Sequence, residues 1–359
     1  MKTSAIRPIA FEGGRLFVLD QTLLPGEERH IELKSVEDVR EAIRSLRVRG
    51  APAIGLAAAY GVCLAARASR ARDVEGFCRE LSEARERLAG SRPTAVNLFQ
   101  ALGRMVARLS RLAEGAGGGG WADMFERLNE GLLLEAESIR AEGEAACLAM
   151  GELGLGLLKP GMGLLTHCNA GALAAPGIGT ALAPVYLGQE RGYGFRVFAD
   201  ETRPLLQGAR LTAWELMRAG VDVTLICDGM AAAAMREGLV DAVLTGCDRL
   251  ARNGDGANKI GTAGLAALAK AYGLPFYMFV PTSTIDMAAA TGGDIPIELR
   301  DGGEICELWY GRRMAPEGVK TWNPAFDVTE HGLITAIVTE KGVARPPFDR
   351  GIAELMGAG

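Results

Sequence analysis

Between residues 163 and 280, short β-rich runs alternate with helical ones, and no other feature restricts the possible folds so strongly. Residues 163–167, 195–199, 221–227, 241–246 and 276–280 read as strands; 177–190, 205–219, 230–238 and 260–272 read as helices. That rhythm predicts a mostly parallel sheet with helices on both faces. In such sheets ligands bind in the crevice beyond the carboxyl ends of the strands. No G-x-G-x-x-G follows the first strand and no G-x-x-x-x-G-K-[ST] occurs, so neither a dinucleotide fingerprint nor a P-loop is expected.

The first half of the chain is different. Apolar and polar residues alternate over 9–11 and 15–19 on either side of Gly13-Gly14, a hairpin signal. Ser35 and Asp38 form an S-x-x-D capping box ahead of Val36, Val39, Ile43 and Leu46 at helical spacing. Pro52 suits the first turn of a following helix, which the alanine-rich run to Ala66 supplies. Residues 74–88 and 94–112 read as helices, 114–120 (EGAGGGG) as a flexible break, and 121–151 as one long helix. The expected fold class is therefore α/β. A hairpin and helical domain over residues 1–150, with the long helix as connector, precedes a sheet domain over 151–359.

At 359 residues the chain can bury two cores. Its net charge of −5 argues against a nucleic-acid surface, which needs a basic patch. Residues 1–11 have no continuous apolar core of the signal-peptide kind. The longest apolar run, 51–66, is interrupted by Pro, Gly and Tyr and reads as too short for a membrane span. The seven cysteines are scattered and contain no C-x-x-C pair, which fits a reduced, cytoplasmic protein rather than a disulfide or zinc scaffold. The three histidines do not cluster, so no metal site is expected.

Chemistry-bearing residues collect where the strands end. The first strand runs into His167-Cys168-Asn169, the second into Asp200-Glu201-Thr202-Arg203, the third into Asp228, the fourth into Cys247-Asp248 and the fifth into Thr282-Ser283-Thr284. Polar tips on every strand imply one shared crevice. The stretch 245–262 (TGCDRLARNGDGANKIGT) reads either as an anion site centred on one carboxylate or as a polar linker. A thiol at Cys168 can act as nucleophile or acid/base if its pKa is shifted, though a lone cysteine is more often a small buried apolar residue. Ser283 and Thr284 lack a histidine to activate them and read as turn caps or hydroxyl binders. Arg49-Gly50-Ala51 falls at a helix N-terminus, where backbone N–H groups and the guanidinium suit a phosphate; an ordinary surface turn looks the same. Arg92 sits in a second such turn. One cysteine, several aspartates, a lysine and these arginines, without a cofactor motif, suit proton transfer on a phosphorylated substrate. Aldose–ketose isomerisation has those needs.

Seven blocks carry a resemblance: RVRGAPAIG (47–55), RPTAVNL (92–98), LLTHCNAGALA (164–174), DETRPLLQGARLTAWEL (200–216), DRLARNGDGANKIGT (248–262), PTSTID (281–286) and NPAFDVT (323–329). In kind and order the chain resembles the methylthioribose-1-phosphate isomerases of methionine salvage. Ribose-1,5-bisphosphate isomerases and the regulatory subunits of the initiation factor 2B exchange complex belong to the same superfamily. The resemblance implies a Rossmann-like second domain, a homodimer and no cofactor. It implies Cys168 and Asp248 as the catalytic pair. It assigns Arg49, Gly50, Ala51, Arg92, Gln207, Asn258 and Lys259 to the substrate, a phosphorylated pentose, with an active site between domains that closes to exclude water. Relatives that are regulatory subunits usually lack the cysteine–aspartate pair and the arginine-lined site; both are kept here.

In an aldose 1-phosphate the anomeric carbon is locked, so an acid must first protonate the ring oxygen. Asp248, kept protonated by apolar surroundings, is the expected acid. Cys168 then takes the C2 proton, or stabilises a hydride shift from C2 to C1. The chain departs from the family pattern at Ile178, Gly256, Ala263, Val280 and Leu299, so the reaction type is fixed more firmly than the C5 substituent. 5-Deoxyribose 1-phosphate and ribose 1,5-bisphosphate are the alternative substrates, and a non-catalytic regulatory subunit the alternative class.

Overall fold

The computed structural model describes residues 6–92, 96–115 and 120–357. The sequence readings at Pro93-Thr94 and at 116–119 lie outside the described residues. The chain divides into two compact units, Ile6–Ala145 with Ala172–Gly177, and Ala146–Gly171 with the chain from Ile178 onward.

In the first unit, β1 (Ile9–Glu12) and β2 (Arg15–Leu19) form the expected hairpin. A third strand, β3 (His30–Leu33), extends it antiparallel to β2. Its four residues are too few to give a period, which is why the pattern did not call for it. The capping box forms at α1 (Val36–Arg44): the Asp38 amide donates to Ser35 Oγ, and the Ser35 amide donates to Asp38 Oδ2. Next come α2 (Ala51–Ala68), α3 (Val74–Ala89) and α4 (Val96–Glu114). By length and composition α2 could cross a membrane, so the sequence reading of that run as too short is corrected. Most of it is buried inside this unit, with Ile54, Ala58 and Tyr60 in one core with Phe77, Leu98 and Leu128, and it is read as a core helix. Alanine and glycine along α2 let its neighbours approach closely. The helix α5 (Trp121–Leu155) continues past the unit boundary.

The second unit holds β4 (Gly163–Thr166), α6 (Ala183–Glu190), β5 (Arg196–Asp200), α7 (Ala213–Arg218), β6 (Asp222–Ile226), α8 (Ala231–Arg236), β7 (Ala242–Gly246), β8 (Arg249–Ala251), β9 (Gly256–Lys259), α9 (Thr262–Ala271), β10 (Phe276–Phe279), β11 (Ile285–Asp286), α10 (Gly303–Cys306), β12 (Phe326–Thr329), β13 (Ala336–Thr339), β14 (Gly342–Ala344) and α11 (Phe348–Leu355). The main sheet has the order β14-β13-β10-β7-β4-β5-β6, parallel throughout except for β14 against β13. From β4 the chain winds one way through β5 to β6, then returns across β4 to wind the other way through β7, β10 and β13. The order is that of a doubly wound, Rossmann-like sheet, and its direction switches between β4 and β7. Its strands β4, β7 and β10 are wholly buried, as their continuous apolar runs require.

Two helices start later than expected. The run from 177 becomes helical only at Ala183, with Pro184 in its first turn. The run from 205 passes through a π-turn, Gly208–Thr212, before α7.

The stretch 245–262 is not a loop. Its strands β8 and β9 join β11 and β12 in a second, four-stranded sheet of order β11-β8-β9-β12. Ala251 and Ala257 bury against Ala289 and Ile295. Strands of three and four residues among charged neighbours carry no periodic signal, so the sequence read as a polar connection.

Candidate active site

Parallel pairing aligns Thr166 of β4 with Leu244 of β7. Cys168 lies two residues beyond the first and Asp248 four beyond the second, on strands about 4.8 Å apart. They thus flank the point where the sheet switches direction, the crevice in which doubly wound folds bind ligands.

The tip of β4 is held from every side. Cys168 has φ 65°, in the left-handed region, as do Thr202 (63°) and Leu206 (56°) on the connection after β5. Each such residue costs roughly 1–2 kcal/mol, so three together mark a place where the surroundings dictate the backbone. Thr202 Oγ1 accepts from the Cys168 amide at 2.8 Å, and Thr212 Oγ1 donates to the Cys168 carbonyl at 2.7 Å. The Thr202 and Arg203 amides donate to the two Asp228 carboxylate oxygens, at 2.7 and 2.8 Å. Behind the cysteine, Asn169 donates to Thr212 Oγ1 (3.1 Å) and to the buried Glu215, which also accepts from the Tyr186 hydroxyl at 2.9 Å. Burial, with the Glu215 carboxylate beside it, pushes the Tyr186 phenol well up, so the phenol stays a donor.

His167 is buried, with Nδ1 2.9 Å from Asp200 Oδ2 and Nε2 2.8 Å from the Ile260 carbonyl. Burial opposes charge on the ring, but the hydrogen bond to Asp200 and the negative charges of Asp200 and Asp228 overcome it and raise the His167 pKa. His167, Asp200 and Asp228 offer three donor atoms within 4.8 Å of one another. Both ring nitrogens are already engaged, and both Asp228 oxygens accept backbone N–H groups, so the cluster works as a hydrogen-bond knot rather than a metal cradle.

The tip of β7 is plainer. The Asp248 amide donates to the Ala257 carbonyl at 2.9 Å. Asp248 is partly exposed, and its carboxylate takes part in no hydrogen bond or ion pair among the described residues. Cys247 beside it is buried, and burial together with the Asp248 charge pushes its thiol well up, so it is an inert neighbour.

Of the residues assigned to substrate, Gln207, Asn258 and Lys259 lie in this unit and are buried. Gln207 opens the π-turn, and its Oε1 is buried without a hydrogen-bond partner among the described residues. Asn258 Nδ2 donates to Thr262 Oγ1 at 3.1 Å. Lys259 Nζ donates to the Ala325 carbonyl at 2.8 Å and lies 4.4 Å from the Phe326 ring centre. Gly261, next along, has φ 103°, and a Cβ there would stand 2.9 Å from the His167 ring, so only glycine fits.

Arg49, Gly50, Ala51 and Arg92 belong to the first unit, the first three at the start of α2. Gly50 has φ 89°, and a Cβ on it would collide with Ala174, whose carbonyl accepts from the Ala53 amide at 3.2 Å. The turn is therefore built around a glycine. Thr284 caps its own turn, donating to the Pro281 carbonyl at 2.8 Å. Among the family departures, Gly256 lies directly against the Met278 thioether, which fills the space of the missing side chain.

Sequence reasoning put His167, Asp200 and Thr202 at the strand tips without seeing the His167–Asp200 pairing or the Thr202 contact, and it missed Thr212 and Glu215. The one local signal was the density of Asp, Thr and Arg just after β5.

The pattern of the initiation factor 2 subunit family matches residues 47–346, and the chain belongs to that family. It is 60% identical over 352 residues to a methylthioribose-1-phosphate isomerase of Symbiobacterium thermophilum, covering 98% of this chain and 96% of that one. It is 57% identical over 341 residues to a 5-deoxyribose 1-phosphate isomerase of Petrotoga mobilis, covering 95% and 96%. Among solved structures, 5-methylthioribose 1-phosphate isomerase from Pyrococcus horikoshii matches with a TM-score of 0.90 at 42% identity, over 99% of this chain and 97% of that one.

Proposed function

We propose that this chain is an aldose–ketose isomerase of pentose 1-phosphates, and that its substrate is 5-methylthioribose 1-phosphate. The observation that carries the reading is the pair Cys168 and Asp248 on either side of the sheet's switch point. The relatives' names support the class: both substrates are pentose 1-phosphates that differ only at C5. 5-Deoxyribose 1-phosphate is therefore the second reading.

Asp248 donates its proton to the ring oxygen, the bond from C1 to that oxygen breaks, and the C4 hydroxyl is formed. The Cys168 thiolate takes the proton from C2, and the released electron pair forms the C1–C2 double bond of an enediol phosphate. The thiol returns that proton to C1 while the C2 hydroxyl proton passes to the Asp248 carboxylate. Both groups are then as they began, and no cofactor takes part. Gln207 Oε1, buried without a hydrogen-bond partner among the described residues, accepts from a sugar hydroxyl. Arg49 and Arg92, with the Gly50 and Ala51 backbone, hold the phosphate, and Asn258 and Lys259 hold the sugar phosphate from the β9 side. None of the seven cysteines forms a disulfide, in keeping with a cytoplasmic protein, and a homodimer is the assembly proposed. Neither nucleic acid nor membrane is assigned as a partner.

The test is incubation with 5-methylthioribose, 5-deoxyribose and ribose 1-phosphates and ribose 1,5-bisphosphate, with ketose formation followed by NMR. Fastest turnover of the methylthio sugar is expected; turnover of none of them overturns the enzyme. Solvent deuterium appearing at product C1 supports the enediol route, and its complete absence supports a hydride shift. Light scattering gives the oligomeric state.

A further inference from the structure

A histidine next to a catalytic cysteine would ordinarily be read as its proton-transfer partner. His167 is turned the other way. Its Nε2 faces a backbone carbonyl, Ile260 O at 2.8 Å, which can only accept. That nitrogen therefore carries a proton. Its Nδ1 faces Asp200 Oδ2 at 2.9 Å. With Asp200 ionised, the ring must donate from both nitrogens. Among the described residues, the charges acting on the ring are acidic: Asp200 at the end of β5, itself beside Glu201, Asp228 after β6, and Asp327 of β12, which accepts from the Gly261 and Ala263 amides at 2.8 and 3.1 Å. The ring is 1% exposed, and Gly261 closes against its edge, so water does not compete for either bond.

The three atoms joined here come from separate parts of the chain. His167 precedes Cys168 directly, Asp200 ends β5, and Ile260 follows Asn258 and Lys259. We propose that His167 is a positioning residue held as a permanent imidazolium, a doubly donating bracket that locks the Cys168 strand tip to the Asn258–Lys259 segment and to the end of β5. It exchanges no proton with substrate. The kinetic part of this proposal rests on Cys168 being the reacting group; the protonation part does not.

The test uses the full chain with 15N-labelled histidine. Only three histidines occur, so three imidazoles are observed, and His167→Gln removes and thereby assigns one of them. Between about pH 5.5 and about pH 8.5 both His167 nitrogens should keep the shifts of protonated ring nitrogens. A neutral, single-tautomer pattern at pH 7.5, ~1 unit above the free ring's midpoint, overturns the proposal. In Asp200→Asn the ring loses its anionic partner and should titrate inside that window. kcat/KM should then fall on the order of tenfold to a hundredfold on the alkaline side of the new midpoint and recover on the acid side, with KM moving little. A pH profile of Asp200→Asn parallel to that of the parent enzyme overturns the positioning role. If no pentose 1-phosphate is turned over, the functional reading fails, while the wild-type spectra still decide whether the imidazolium exists. If His167→Gln does not fold, Asp200→Asn assigns the ring by the resonances that move.

Discussion

At the end of β4 the backbone is strained and both peptide groups of Cys168 are held by threonine hydroxyls; at the end of β7 the chain turns without a left-handed residue and the Asp248 carboxylate makes no hydrogen bond or ion pair among the described residues. The two tips lie on neighbouring strands of one sheet, so their difference is not one of fold. It matches the two tasks proposed for them. A base that takes a carbon-bound proton must stand in one place, because the transfer is sensitive to displacements well under an ångström. An acid that protonates a ring oxygen can follow the substrate as it settles, and a partner in the protein would only compete with it.

The largest effects should come from removing either group. Cys168→Ala and Asp248→Asn are each expected to lower kcat by about 10²–10⁴ with circular dichroism unchanged. Turnover within a few-fold of normal would remove that residue from the chemistry. Stability then separates the tips. Cys168→Gly should be more stable to heat than Cys168→Ala by about 1 kcal/mol, because glycine takes φ 65° without penalty. Asp248→Asn should leave the melting temperature where it was. Equal stability of the two Cys168 variants would mean that the left-handed turn stores no strain.

Next in size is Thr212→Val. It keeps the volume and deletes the hydroxyl that donates to the Cys168 carbonyl. A buried carbonyl left unpaired costs roughly 1–3 kcal/mol. If the hydroxyl also holds the thiol in place, kcat should drop on the order of tenfold with KM nearly constant. Lost stability without lost kcat would reduce Thr212 to a structural role.

The same contrast explains what the amino-acid pattern could reveal. The strand–helix rhythm, the Ser35–Asp38 cap and Pro52 in the first turn of α2 are local signals, and they became local structure. The positions of Cys168 and Asp248 followed, since a residue just past a buried parallel strand must lie at the sheet's carboxyl edge. What holds Cys168 had no local signal: Thr202 and Thr212 are 34 and 44 residues away, and the Ile260 carbonyl that His167 meets is 93 residues away. Nor does cysteine announce a left-handed conformation as glycine does. The strands β8 and β9 escaped notice because a sheet of such short pieces is specified by its partners β11 and β12.

Smaller effects sharpen the comparison further out. Gln207 Oε1 has no hydrogen-bond partner among the described residues, so Gln207→Leu should cost the fold nothing while raising KM about tenfold, the value of one hydrogen bond to a substrate hydroxyl. A melting temperature that falls with an unchanged KM would show that this oxygen serves the protein.

The smallest expected effect on activity is at Asp255, between β8 and β9. Burial pushes its carboxyl up, but the His331 and Gly292 amides, the Asn253 side chain and the His331 ring bring it down to about 2. A folded-state pKa below the unfolded value of about 3.9 contributes stability that is fully present above the latter. That stability is lost as pH falls through the interval toward about 2. Asp255→Asn should therefore melt lower than the parent by the equivalent of about 1–3 kcal/mol at neutral pH, with the gap closing in acid. Activity at neutral pH should change little, because Asp255 holds the second sheet to His331 and Gly292 rather than the tip of β7. A large loss of kcat in this variant would mean that Asp248, although without an ion pair among the described residues, depends on the rigidity of the strands that follow it, and the two tips would then differ less than their hydrogen bonds suggest.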